Sequence, residues 1–117
     1  MKEVQNKVEK FNKERDWFKI LEIKDLLLNM NEEIGEFWNI IKWVNAEKQK
    51  ELIEKNKGEV GNFIGDMEYL ILKIAAVCKI DAEEETLKVS EEYERRFPVD
   101  KAKGNHGNTR AGGIDLK

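Results

Sequence analysis

The run Asn31-Glu32-Glu33-Ile34-Gly35-Glu36 carries the chemistry that stands out in this chain. On a helix, residues three or four apart share a face, so Glu36 neighbours both Glu32 and Glu33. Like charges placed this way repel and weaken a helix. A divalent cation between them would remove that penalty. Leu26, Leu27, Leu28, Met30, Phe37, Ile40 and Ile41 surround the acids, which puts the cluster close to a core. A second acidic helix segment, Glu59 to Asp66, is placed to complete such a site.

The elements that must position these acids are helical. Val4, Val8 and Phe11 recur at helical spacing in a first helix over 3–16. The stretch Asp16-Trp17-Phe18-Lys19-Ile20-Leu21 loses that period and turns the chain. The strongest helix spans 24–44. Asn45 then caps a short polar helix that runs to Lys57. Gly58 is expected to break the pattern before a long apolar helix over 59–79. That helix contains Gly61 and Gly65, each costing roughly 1 kcal/mol against Ala. Asp81-Ala82-Glu83-Glu84 reads as a capping box for a last helix, stopped by Phe97-Pro98. Domain 1–99 is therefore expected to be an all-α bundle of four to five helices, and 100–117 a Gly-rich flexible C-terminal tail holding four of the eight glycines.

Composition narrows the functional classes. With 117 residues, 38% charged and 40% hydrophobic, the chain suits one domain with a packed core. Net charge is −3, which argues against binding of polymeric nucleic acid by a basic surface. No apolar run is long enough to span a bilayer, and the charged N-terminus does not read as a signal peptide. A single cysteine, Cys78, excludes an internal disulfide and reads as a small buried hydrophobe. A cytoplasmic protein is expected. A di-iron carboxylate bundle would need Glu-x-x-His pairs, and the one histidine, His106, lies in the tail.

The order of the pieces is informative in itself. Arg15-Asp16-Trp17 precedes Glu33-x-x-Glu36; Trp43 and a polar segment follow; Ile64-Gly65-Asp66 comes next, with Tyr69-Leu70 behind it; the chain then reaches Arg95-Arg96-Phe97-Pro98-Val99. Over about residues 5–104 this resembles the MazG-like all-α nucleoside triphosphate pyrophosphohydrolases, in particular the small dCTP pyrophosphatase-like branch. The resemblance implies a homodimer or homotetramer. It also implies Mg²⁺-dependent (or Mn²⁺-dependent) cleavage of an NTP or dNTP to the monophosphate and pyrophosphate. Glu33 and Glu36 then match a catalytic, metal-binding pair, with Glu32 beside them, and Asp66 matches the aspartate of a second metal motif. Trp17, Trp43 and Tyr69 fall among nucleotide-contacting positions, and Lys88 is placed to meet phosphate.

Two positions depart from that pattern. The second motif is E-x-x-D, yet Phe63 stands three residues before Asp66. Glu59 and Asn62 lie on the same helical stripe as Asp66 and are expected to replace the missing ligand in part. Near the end of the chain, the Asn that accompanies the lysine reads Glu92 or Tyr93. The alternative expectation is therefore a catalytically weakened relative that binds nucleotides or regulates a partner. Trp17 and Trp43 read equally as core or interface residues, and Glu59 as a first-turn acid favoured by the helix dipole.

Overall fold

In the computed structural model, residues 1–105, 107, 109–111 and 113 are described, and among them there is no strand. The helices are α1 (Lys2–Glu14), α2 (Ile23–Ile41), α3 (Ala46–Lys55), α4 (Lys57–Val77), α5 (Ala82–Arg96) and α6 (Val99–Ala102), with single 3-10 turns at Ile20–Glu22 and Thr109–Ala111. The all-α expectation holds. The chain forms two compact units, Met1–Ala82 and Glu83–Lys117. The expected boundary at residues 99 and 100 falls in the first turn of α6.

In the first unit α4 is the central element, with α1 and α2 both packed on it. Val8 of α1 meets Leu72 and Ala75 of α4 and Ala82 beyond it in a small core. Polar clamps reinforce that contact. Gln5, only 7% exposed, donates from Nε2 to the Ile80 carbonyl (2.8 Å) and accepts the Ala82 amide at Oε1 (2.9 Å). Asn12, 1% exposed, donates from Nδ2 to the Val8 carbonyl (2.8 Å) and to the Tyr69 hydroxyl (3.0 Å). Lys73 of α4 is buried and holds Glu22 of the first 3-10 turn at 3.4 Å.

Helix ends explain where the expected boundaries moved. α1 closes with the Trp17 amide on the Asn12 carbonyl (2.9 Å), which needs Asp16 at φ 56°. α4 closes the same way, with the Ile80 amide on the Ala75 carbonyl (2.8 Å) and Lys79 at φ 58°. These are glycine-type helix ends built without glycine. α2 stops at Ile41, so Trp43 and Val44 lie outside it. Asn45 caps α3 as expected, accepting the Lys48 amide at 2.9 Å. Gly58 does not break the chain. The joint is Asn56, and α4 begins at Lys57, before Gly58. Its first turn has amides without intrahelical partners, where glycine costs little.

Cys78, expected inside, is exposed, because it follows the last residue of α4 where the chain turns away. The second unit contains α5, α6 and the second 3-10 turn. Phe97 packs edge-on against Tyr93 at 6.3 Å, and a Cβ at Gly107 would come within 2.9 Å of the Phe97 ring. Only glycine fits there unless the ring shifts. No helix is long and apolar enough to cross a membrane among the described residues. His106 lies outside them.

Replacing Asn12 by Ala removes both of its hydrogen bonds and leaves the Val8 carbonyl without its side-chain donor. We expect a loss of about 2 kcal/mol in urea unfolding. Asn12→Ala unfolding at the parent's urea midpoint would remove Asn12 as a clamp between α1 and α4.

Candidate metal and nucleotide site

The candidate acids come from α2 and α4, which run side by side in opposite senses. Glu33 of α2 reaches Asp66 of α4, Phe37 meets Phe63, and Ile40 shares a wall with Gly58 and Glu59 at the start of α4. The spacing 33, 37, 40 is one helical stripe, and 59, 62, 66 is its counterpart. Helical periodicity alone thus gathers residues more than twenty positions apart.

Between the two stripes lies a cavity of about 330 Å³. Glu33, Glu36, Glu59 and Asn62 supply its polar wall; Phe37, Ile40, Phe63 and Gly58 supply the rest. Phe37 and Phe63 pack with ring centroids 4.9 Å apart. Asn62 Nδ2 donates to Asp66 Oδ2 at 3.0 Å. Asp66 is also within hydrogen-bonding reach of Glu33. Glu32 does not line the cavity but adds its charge from the neighbouring position.

The electrostatics follow from this crowding. Desolvation between the helices raises the Glu33 carboxyl above its ordinary value, and the charges of Glu36 and Asp66, the hydrogen bond to Asp66 and the charge of Glu32 push the same way. Among the described residues, no Lys or Arg forms an ion pair with Glu32, Glu33, Glu36, Glu59 or Asp66.

The donor set is oxygen only, which suits a hard cation such as Mg²⁺. Among the described residues, no three His, Cys, Asp or Glu side chains already form a metal-binding group.

The other candidate residues separate into three places. Trp17 and Tyr69 are gathered around Phe11, at 6.1 and 6.5 Å between centroids, and Arg15 lies 3.7 Å over the Phe11 ring. Tyr69 stands one turn beyond Asp66 on α4. Trp43, 87% exposed between α2 and α3, joins neither this group nor the cavity wall. Lys88 is in the second unit, 3.2 Å from Glu85 and 3.6 Å from Glu84 on its own helix, and these acids raise its pKa. Sequence reasoning missed Phe37, Ile40 and Gly58 as cavity residues; the i, i+4, i+7 spacing from Glu33 was the signal available for the first two.

Scans against protein families and against curated proteins give no match. Among solved structures, the chain is similar to a pyrophosphatase from Archaeoglobus fulgidus DSM 4304, with a TM-score of 0.70 and 28% identity over 82% of this chain and 90% of that one. The fold is thus shared with a pyrophosphatase, and a hydrolase is the activity this similarity suggests.

In metal-free protein, Glu33→Gln removes one of the crowded acids. A raised carboxyl pKa in the folded state favours folding at low pH, and that contribution is lost as pH rises through the raised value. Thermal melts in EDTA should therefore show Glu33→Gln more stable than the parent at neutral pH, with the difference shrinking toward pH 4. A variant that melts below the parent at every pH would contradict the crowding.

Proposed function

We propose that this chain is a Mg²⁺-dependent nucleoside triphosphate pyrophosphohydrolase of the MazG-like all-α kind. It converts an NTP or dNTP and water to the monophosphate and pyrophosphate. The observation that carries the reading is the pairing of Glu33 with Asp66 across α2 and α4, beside Glu36, in a fold shared with a pyrophosphatase.

Glu33, Glu36 and Asp66 are the residues that would hold Mg²⁺, with Glu59 and Asn62 standing in for the glutamate that Phe63 displaces. A cation held by them would offset the triphosphate charge and help activate water. Asn62 donates to the Asp66 carboxylate at 3.0 Å, which favours the orientation seen. A carboxylate of this wall that is left off the cation, Glu33 or Glu36, would be placed to accept the proton of the attacking water. The bond from the α-phosphorus to the α–β bridging oxygen breaks, and that oxygen leaves with pyrophosphate. Trp17 and Tyr69 present aromatic surface for a base, which stacking would hold without strong sequence preference. Trp43 remains a candidate contact to the base.

A second reading is a weakened relative that binds nucleotides without efficient turnover. Phe63 packed on Phe37 favours it, because an aromatic pair occupies the place of a charged ligand.

Release of pyrophosphate from a panel of dNTPs and NTPs with Mg²⁺ or Mn²⁺ separates the two. Turnover is expected, and Asp66→Asn and Glu36→Gln should each lower kcat by about 100-fold or more. Nucleotide binding without turnover of any substrate would establish the second reading.

A further inference from the structure

We infer that Lys73 and Glu22 are positioning residues: their ion pair fixes the segment that carries Trp17 and so, with Trp17 as the proposed base contact, sets how tightly this chain holds a nucleotide base. The stripe of α4 that supplies Glu59, Asn62 and Asp66 does not end there. Tyr69 and Lys73 continue it at the same helical spacing. Lys73 stands about 10 Å beyond Asp66 along the axis, at 1.5 Å per residue. Each position meets a different element. Asp66 meets Glu33 of α2, Tyr69 meets Asn12 of α1, and Lys73 meets Glu22 of the 3-10 turn. One helix face thus aligns the acids, an aromatic ring and the segment 16–22.

That segment has few apolar anchors. Ile20 and Leu21 are 65% and 89% exposed, and Trp17 is 52% exposed. Polar contacts hold it instead. At its start the Asn12 carbonyl accepts the Trp17 amide at 2.9 Å. At its end the Lys73 ammonium holds the Glu22 carboxylate at 3.4 Å. The Lys73 side chain is 10% exposed, and among the described residues it has no other ion-pair partner. Such a pair adds little net stability over an apolar residue of similar volume. It favours one arrangement, because separation strands a desolvated ammonium.

Trp17 lies between these two pins. Its ring is 6.1 Å from Phe11, which is 6.5 Å from Tyr69. With both ends of the segment held, the three rings are assembled before a ligand arrives. Released at Glu22, the segment samples other arrangements, and base affinity falls with the fraction of time the rings are together. The acids between α2 and α4 are untouched, so the chemical step keeps its rate.

Lys73→Met keeps most of the buried volume and removes the charge. Two measurements on the full chain test the pin. Hydrogen exchange needs no substrate, and the hydrogen-bonded amides of Trp17 and Glu22 should exchange about tenfold faster in the variant, with α3 unchanged. In steady-state kinetics with Mg²⁺ and each of the four dNTPs, KM should rise about tenfold while kcat stays within about twofold. Added to Trp17→Ala, Lys73→Met should raise KM no further. Val8→Ala, a core truncation, should lower Tm without splitting KM from kcat. If turnover is absent, equilibrium binding of the same dNTPs replaces KM. Unchanged exchange overturns the pin, as does unchanged KM or a kcat that falls as far as KM rises. A parent that neither turns over nor binds any dNTP overturns the proposed function and the link to base affinity, while exchange alone still decides whether Lys73 holds the segment.

Discussion

Two carboxyl groups from different helices, Glu33 and Asp66, stand within hydrogen-bonding reach, and much else in the first unit serves that approach. The contact is unfavourable by itself when both are charged. It is tolerated because the surrounding helices are fixed by other means. Val8, Leu72, Ala75 and Ala82 form the apolar anchor, and Gln5 and Asn12 tie α1 to α4 through buried hydrogen bonds. The cost is local to the acids, while the stabilisation is spread along α4. Such a division is the physical signature of a site selected for something other than stability.

The same frame accounts for Phe63. An aromatic pair packs α2 on α4 where one further carboxylate would add like-charge repulsion. Glu59, one turn earlier on the same wall, keeps a carboxylate in the cavity. The proposed pyrophosphohydrolase thus has its acids distributed differently along α4 from the E-x-x-D pattern.

Much of this was legible in the sequence, for identifiable reasons. Helical periodicity located α2 and α4, the Asn45 cap opened α3, and Pro98 ended α5, because each reflects local backbone chemistry. Glu33 and Glu36 were legible as neighbours because residues three apart share a helix face, while Asp66 was singled out through the resemblance's second motif. Gly58 misled because glycine in a first turn is not a break. The ends of α1 and α4 were hidden because Asp16 and Lys79 adopt the left-handed conformation that glycine normally signals. The exposure of Cys78 was hidden for a tertiary reason. An apolar pattern says which residues prefer to be covered, and it does not say by what.

The acids between α2 and α4 are proposed to hold a divalent cation. Anomalous diffraction from crystals grown with Mn²⁺ and a non-hydrolysable α,β-imido nucleotide tests it most directly. A Mn²⁺ peak is expected between α2 and α4, beside the carboxylates of Glu33, Glu36 and Asp66, with nucleotide phosphate next to it. Nucleotide bound elsewhere, with no anomalous peak between α2 and α4, would contradict it.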